Sequence, residues 1–329
     1  MEAKVEEFDI EEPRYKELAK LVDDWVELHR GEKFDLDLIC RQLEAVSRKA
    51  RMCVASKLAY DVKRGKLEKL ERYYIYIDNT INKLDWLKAS KANHLTLQWP
   101  FGVEDESAFD FEETIMIPEK GIVVIAGVTN TGKSTFCRNF LWCNMDRYHC
   151  TYFSSETSAE DFADYASRMT WRNPVNEDGN SKFDLIWRNK DWKHVIQPDD
   201  INIIDWINMG DNFYQIGTII EGIKEKLDKG ICVIALQKDP SKELGTGGQW
   251  SEHLASLYMT IDFGRLTVKK AKKWRKVNPN NKSFGFDIID YGTHFHRIRE
   301  VKRCYKCYGT GKYKGSECEE CHGLGHIDL

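Results

Sequence analysis

Ile122-Val123-Val124-Ile125-Ala126-Gly127-Val128-Thr129-Asn130-Thr131-Gly132-Lys133-Ser134-Thr135 is the stretch on which the fold turns. Its first five residues are continuously apolar and mostly β-branched, the pattern of a strand buried on both faces in a parallel sheet. From Gly127 the spacing is Gly-x-x-x-x-Gly-Lys-Ser, and Phe136, Phe140 and Leu141 then recur at helical intervals. Strand, glycine loop and helix in that order make a phosphate cradle. Successive backbone N–H groups curve toward an anion at a helix N-terminus, a lysine reaches the β- and γ-phosphates, and a hydroxyl ligates magnesium. The sequence therefore predicts a site for ATP and Mg²⁺ built from Gly127, Val128, Thr129, Asn130, Thr131, Gly132, Lys133, Ser134 and Thr135, with Ser134 on the metal.

Reading toward the C-terminus, Cys150-Thr151-Tyr152-Phe153 is a second short strand that delivers Ser154, Ser155 and Glu156 at its C-terminal end, where open parallel sheets bind ligands. A carboxylate there can orient and deprotonate an attacking water. A third strand, Ile201-Asn202-Ile203-Ile204, ends in Asp205-Trp206, the apolar run plus Asp whose carboxylate completes the magnesium site. The helical pattern of Ile216 to Lys229 precedes a fourth strand, Ile231-Cys232-Val233-Ile234-Ala235-Leu236, which ends in Gln237.

The series GVTNTGKST, YFSSE, INIIDW, VIALQK and LGTGG resembles the RecA-like ATPase core of DnaB-type replicative helicases and their phage relatives, over about residues 112 to 299. That resemblance implies that Glu156 is the catalytic base and that Gln237 senses the γ-phosphate and relays its state to nucleic-acid loops. It also matches Lys273-Trp274-Arg275 to the family's Lys-x-Arg finger, which crosses to a neighbouring subunit's nucleotide and so implies a ring or filament. A nucleic-acid grip would use the same side chains of this basic segment. The chain departs from those helicases in lacking their larger helical N-terminal collar, and it has Lys238 to Trp250 where they carry an Arg-rich segment.

Ahead of the cradle, residues 1–40 hold 13 acidic and 6 basic side chains, whereas residues 41–72 hold 10 basic and 4 acidic. Leu18, Leu21, Val22, Trp25, Val26 and Leu28 recur at three and four, an amphipathic helix stopped by Gly31. Asp35 can cap a second helix over residues 36–46. Ser47 can cap a third that carries Arg48, Lys49, Arg51, Lys57, Lys63 and Arg64 before Gly65. Residues 66–77 then read as a charged stretch ending in an aromatic and β-branched strand. Helix, helix, basic helix and charged hairpin resemble a winged helix-turn-helix domain, which implies DNA contact by residues 47–64 and a wing at 66–77. A helical docking domain is the alternative.

Of ten cysteines, six are scattered in apolar stretches, but Cys304, Cys307, Cys318 and Cys321 form two copies of C-x-x-C-x-G-x-G. Each pair is half of a tetrahedral thiolate site, so the spacing predicts one structural zinc, with a disulfide pair as the alternative. The repeat resembles the cysteine-rich zinc motif of DnaJ-type chaperones, with two copies where that family has four. His322 and His326 read as surface residues.

A 329-residue chain that is 42% hydrophobic and 12% aromatic, with 7 prolines, can bury a sizeable core and is not a low-complexity polymer. No run approaches the roughly 18 apolar residues of a membrane span, and Met1 to Glu7 lacks a signal-peptide start. The expectation is a soluble cytoplasmic protein, in the host cytoplasm if phage-encoded, with no membrane partner. A net charge of −4 is uninformative, but residues 265–303 hold 12 basic and 3 acidic side chains, a second local footprint for phosphate backbones. The expected organisation is an α/β chain with a winged-helix-like domain at 1–80, a linker at 81–111, a RecA-like P-loop ATPase with a mainly parallel sheet at 112–300, and a zinc knuckle at 301–329. The expected activity is an ATP-driven helicase- or recombinase-like motor on DNA, acting as a homo-oligomer with other replication proteins. A non-motor loader or adaptor is the rival.

Overall fold

The computed structural model of the protein describes residues 12–77, 87, 94–207 and 215–329. Two compact units divide at residue 89. The first holds α1 (Glu12–Leu28), β1 (Lys33–Asp35), α2 (Leu36–Gln42), α3 (Arg48–Lys63), β2 (Leu67–Leu70) and β3 (Tyr73–Tyr76). Asp35 accepts from the Leu38 N–H at 2.8 Å and Ser47 from the Ala50 N–H at 3.1 Å, satisfying helix-end donors that would otherwise lose their partners. Val22, Val26, Ile39, Val54, Leu58 and Leu67 close the core, each contributing about 1.5–3 kcal/mol relative to exposure. The three strands form one antiparallel sheet in the order β1-β3-β2, so the short β1, absent from the sequence reading, is the strand that ties the hairpin to the helices.

The third helix does not present all its cations outward. Lys57 is turned inward to Asp61 at 2.6 Å and Asp23 at 2.9 Å and is not available to a phosphate backbone, whereas Arg51 pairs with Asp37 at the surface. Burial would raise Asp23, but hydrogen bonds from Lys66 and Lys57 hold it below its ordinary value. The exposed face carries Arg48, Lys49, Met52, Ser56, Tyr60 and Lys63.

The second unit contains α4 (Phe111–Thr114), β4 (Ile122–Gly127), α5 (Lys133–Asn144), β5 (Cys150–Ser154), α6 (Ala159–Arg168), β6 (Phe183–Trp187), β7 (Ile201–Ile207), α7 (Ile216–Lys226), β8 (Ile231–Gln237) and α8 (Gln249–His253). It continues with β9 (Leu257–Asp262), β10 (Arg265–Ala271), β11 (Ser283–Ile289), β12 (His294–Arg303), β13 (Lys312–Tyr313), β14 (Ser316–Glu317) and β15 (His326–Asp328). Ten strands form one sheet in the order β15-β12-β11-β10-β9-β4-β8-β7-β5-β6. From β9 to β6 neighbours run parallel, and from β9 to β15 antiparallel. The apolar run of β4 is buried on both faces: Val123 and Ile125 pack with Phe136 and Phe140 of α5, while Ile122, Val124 and Ala126 pack with Ile216, Ile220 and Ile223 of α7. Alternation hidden inside a uniform apolar run is what a two-faced parallel strand requires.

Two expected boundaries are corrected. Of the expected linker, residues 81–86 and 88–93 lie outside the described residues, but 94–111 is core rather than connector. Leu97, Trp99, Phe109 and Phe111 are buried, Trp99 lies 5.3 Å from Phe140 and Phe109 5.7 Å from Phe295, centroid to centroid. Asn144 clamps Gln98 by donating to its carbonyl at 2.7 Å and accepting its N–H at 3.0 Å. The cysteine-rich tail is likewise not set off from the sheet: β12 runs straight into Cys304, and β15 returns to pair with β12.

Candidate functional site

The loop between β4 and α5 lies at the C-terminal edge of the parallel strands. Gly132 caps α5 with φ +105°, a backbone conformation that L side chains rarely adopt, and a Cβ there would also press on the Cδ1 tip of Ile288, 2.5 Å away on β11. The β11–β12 hairpin holds the helix: Thr135 Oγ1 donates to Gly292 O at 2.7 Å and Asn139 Nδ2 to Thr293 O at 2.7 Å. Lys133 Nζ donates to Val128 O across the loop at 2.7 Å. Burial pushes the Lys133 ammonium below its ordinary value, against the pull of Asp205, Cys137 and Glu156.

Beside the loop, Ser134 Oγ donates to Asp205 Oδ1 at 3.0 Å, and the fully buried Tyr152 donates to Oδ2 at 2.6 Å. Burial raises the Asp205 carboxyl, while Tyr152, Arg138, Ser134 and Lys133 oppose the rise. Tyr152 stays a neutral donor because burial and Asp205 push its own pKa far up. Ser154 pairs with Asp205 in register, which sets Glu156, two residues further on, at the neighbouring strand end. The Ser154 hydroxyl accepts from the Glu156 and Thr157 N–H groups and fixes that turn. Gln237 Nε2 donates to Thr129 Oγ1 at 2.8 Å, joining the end of β8 to the loop. Gly127 to Thr135, Glu156, Asp205 and Gln237 are thus gathered at one sheet edge. Lys273 and Arg275 are not: Ala271 is level with Leu257, which is level with Val123, so these exposed cations lie about 15–20 Å away at the opposite edge. There the Lys273 carbonyl accepts from Met116 N and Arg275 N donates to Thr114 O.

Sequence reasoning missed Tyr152 and Arg138. Tyr152 looks like any strand aromatic until β7 is laid beside β5. Arg138 is buried with its guanidinium 3.9 Å from the Tyr165 ring, close enough to Asp205 to lower its carboxyl. No local signal distinguishes either.

The site fits ATP and magnesium. The loop amides start a buried helix, a lysine spans them, and a hydroxyl and a carboxylate converge at hydrogen-bond distance where an octahedral cation takes oxygen ligands.

At the tail, the Sγ atoms of Cys304, Cys307, Cys318 and Cys321 lie within 4.8 Å of one another, with Cys304–Cys318 at 3.9 Å and Cys307–Cys321 at 3.6 Å. Zinc–sulfur bonds of about 2.3 Å in a tetrahedron separate sulfurs by about 3.8 Å, so the cluster fits one zinc and no fifth ligand. All four cysteines are free thiols. Gly311 has φ +72°, and a Cβ there would stand 2.2 Å from Gly323 O, so the two repeats meet backbone to backbone. Burial opposes ionisation of Cys307, yet N–H groups of Gly311 and Gly309 and the neighbouring thiols bring it down to about 6. His326 is no surface residue: it is buried, accepts no role in the sulfur cluster, and bonds to Leu324 O.

Residues 108–183 match the family model described as "ATPase: KaiC", a span that includes the loop, β5 and Glu156 and stops before Asp205. A search of curated proteins finds no match. Among solved structures, a KaiC-like protein from the hyperthermophilic archaeon Pyrococcus horikoshii OT3 aligns at 16% identity and TM-score 0.42, over 63% of this chain and 99% of that one. The sheet, the glycine loop and the family match define a P-loop ATPase domain of RecA-like fold. The matched segment is KaiC-like, and no helix among the described residues is long and apolar enough to cross a membrane.

Proposed function

We propose that the protein hydrolyses ATP to act on DNA, as a motor of helicase or recombinase type with DnaB-like chemistry. The observation that supports DNA as the substrate is the first unit: its helix–strand–helix–helix–hairpin order leaves one face of α3 exposed with Arg48 and Lys63 at its ends and Met52, Ser56, Ala59 and Tyr60 between them. Such a face lets a helix approach base edges while flanking cations meet phosphates. In the second unit, Lys133 and the loop amides hold the phosphates, and Ser134 and Asp205 hold magnesium. When bound, that ion neutralises charge on the phosphoryl oxygens. Glu156 takes the proton of the water attacking the γ-phosphoryl group, and Gln237 reports the loop's state to the segment after β8. Because Lys273 and Arg275 cannot reach their own loop, they act on a neighbouring copy in a ring or filament. A loader that binds ATP without unwinding is the second reading, favoured by Lys238 to Trp250 standing in place of the helicases' Arg-rich segment.

Turnover of ATP with and without single- and double-stranded DNA, together with the assembly's mass, tests the proposal. DNA stimulation of an oligomer supports it, and a monomer whose turnover ignores DNA refutes it. Strand separation on an oligonucleotide fork selects the motor over the loader.

A further inference from the structure

Where β9 to β12 leave the parallel region, their surface and the cysteine-rich loops enclose a groove of about 1210 Å³. One wall is Lys238 and Lys242 after β8, the floor includes Arg265, Lys269 and Lys282, and the far wall is Lys302, Arg303 and the glycine turns at Gly309–Gly311 and Gly323. Seven cations thus face three carboxylates, Asp262, Glu243 and Glu300. Four of the cations are paired: Lys238 with Asp262 at 2.7 Å, Arg265 with the same carboxylate at 3.3 Å, Lys269 with Glu243 at 3.4 Å and Lys282 with Glu300 at 2.8 Å. Because Lys238 and Arg265 share one carboxylate, the groove keeps four surplus positive charges, three of them on Lys242, Lys302 and Arg303, whose Nε donates to Tyr308 O. The Nε of Arg265 is buried with no hydrogen-bond acceptor, a donor left over inside a basic recess.

A second feature gives the groove a preference among polyanions. Phe263 occupies the β9–β10 turn, where polar residues usually stand, and is 69% exposed at the groove's lip; Leu324, 54% exposed, lines the same recess from the cysteine-rich side. An exposed ring beside a track of cations is the combination that stacks unpaired bases while neutralising their backbone, whereas a duplex keeps its base faces inside its own stack. The recess also adjoins the nucleotide loop, since Lys238 N donates to Gly127 O at 2.9 Å.

We infer that this groove, formed jointly by the antiparallel half of the sheet and the cysteine-rich loops, binds a single strand of nucleic acid, its bases stacking on Phe263 and its phosphates meeting Lys242, Lys302 and Arg303. The inference rests on the DNA-directed reading above and names the surface of the second unit that would hold the strand.

The test is fluorescence anisotropy of a labelled oligothymidylate with the full chain across a salt series. Phe263→Ala should weaken binding about tenfold without changing the salt slope, since one base stack is worth about 1–3 kcal/mol. Lys302→Ala should weaken binding several-fold and reduce the slope of log K against log salt by about 0.7, one phosphate contact on a single strand. Both side chains are exposed, so thermal melts of the variants should match the wild type. If neither variant changes affinity while replacing Arg48 and Lys49 abolishes it, the groove is refuted and the DNA-directed reading stands. If the wild type binds neither oligothymidylate nor duplex, both fall.

Discussion

Removing one hydroxyl, Tyr152→Phe, interrogates the centre of the candidate site without altering a residue proposed to touch nucleotide. The phenol donates to Asp205 Oδ2 at 2.6 Å, and both residues are buried, so no water can replace it. A hydrogen bond to a charged group contributes about 1.5–3 kcal/mol, and losing it leaves a carboxylate oxygen unsatisfied. At about 2–4 °C per kcal/mol for a unit of this size, Tm should fall by roughly 3–12 °C where Asp205 is ionised. Folding raises the Asp205 pKa through burial, so its stabilising contribution is present in full below the unfolded-state value and is lost as pH rises through the folded one. The Tyr152 bond favours the ionised form and opposes that loss. Its removal should therefore destabilise more at neutral than at acid pH, and should move the acid limb of the ATPase pH–rate profile to higher pH. Paired melts at several pH values and kcat/KM against pH read both effects. A pH-independent Tm difference together with an unmoved acid limb would show that Tyr152 does not tune Asp205.

Lys133→Ala should abolish hydrolysis and weaken nucleotide binding, whereas Glu156→Gln should lower kcat by about 10²–10⁴-fold with binding of a fluorescent ATP analogue retained; near-normal turnover in the Glu156 variant would place the base elsewhere. Metal analysis of the reduced protein should find one zinc per chain, and chelation should release hydrogen-exchange protection around Cys304 to Gly325 while β4 and β8 stay protected. Arg275→Ala should lose turnover by about 10³-fold or more yet bind nucleotide, and mixing it with Lys133→Ala chains should restore activity at interfaces that combine an intact loop with an intact finger. An unchanged basal rate without complementation would instead leave Arg275 as a nucleic-acid contact.

The parts of the molecule that the sequence made legible are those whose chemistry is local. The glycine loop and its flanking strand are contiguous, and Ser47 and Asp35 announce their helices by capping three residues downstream. Asp205 was readable because a strand ending in Asp acquires meaning after such a loop. The unread parts are bonds between distant residues. Thr135 to Gly292 spans 157 positions and Asn144 to Gln98 spans 46, and neither end carries a periodicity that names its partner. Residues 94–111 lack helical or strand spacing, yet their aromatic rings fill the space beside α5, because packing against distant residues holds them without any local periodicity. In α3, charge alone does not tell that Lys57 lies on the face that meets Asp23 and Asp61.

The strand β12 has a mechanical consequence. Its ten residues begin beside the Thr293 and Gly292 carbonyls that hold α5 and end beside Cys304. It is bonded to β11 on either side of a bulge at Arg297 and Ile298, where the register slips and Arg297 has φ +51°, and to β15 at its far end; the N–H groups of the bulge donate instead to Asp105 Oδ2 at 2.7 Å and Ser107 Oγ at 2.9 Å. It thus joins the glycine loop's helix to the sulfur cluster through a bent strand, not a straight one. A bulged strand bends at its extra residue, so the path from α5 to the tail turns at Arg297 and is anchored there by Asp105 and Ser107 of the segment that precedes α4.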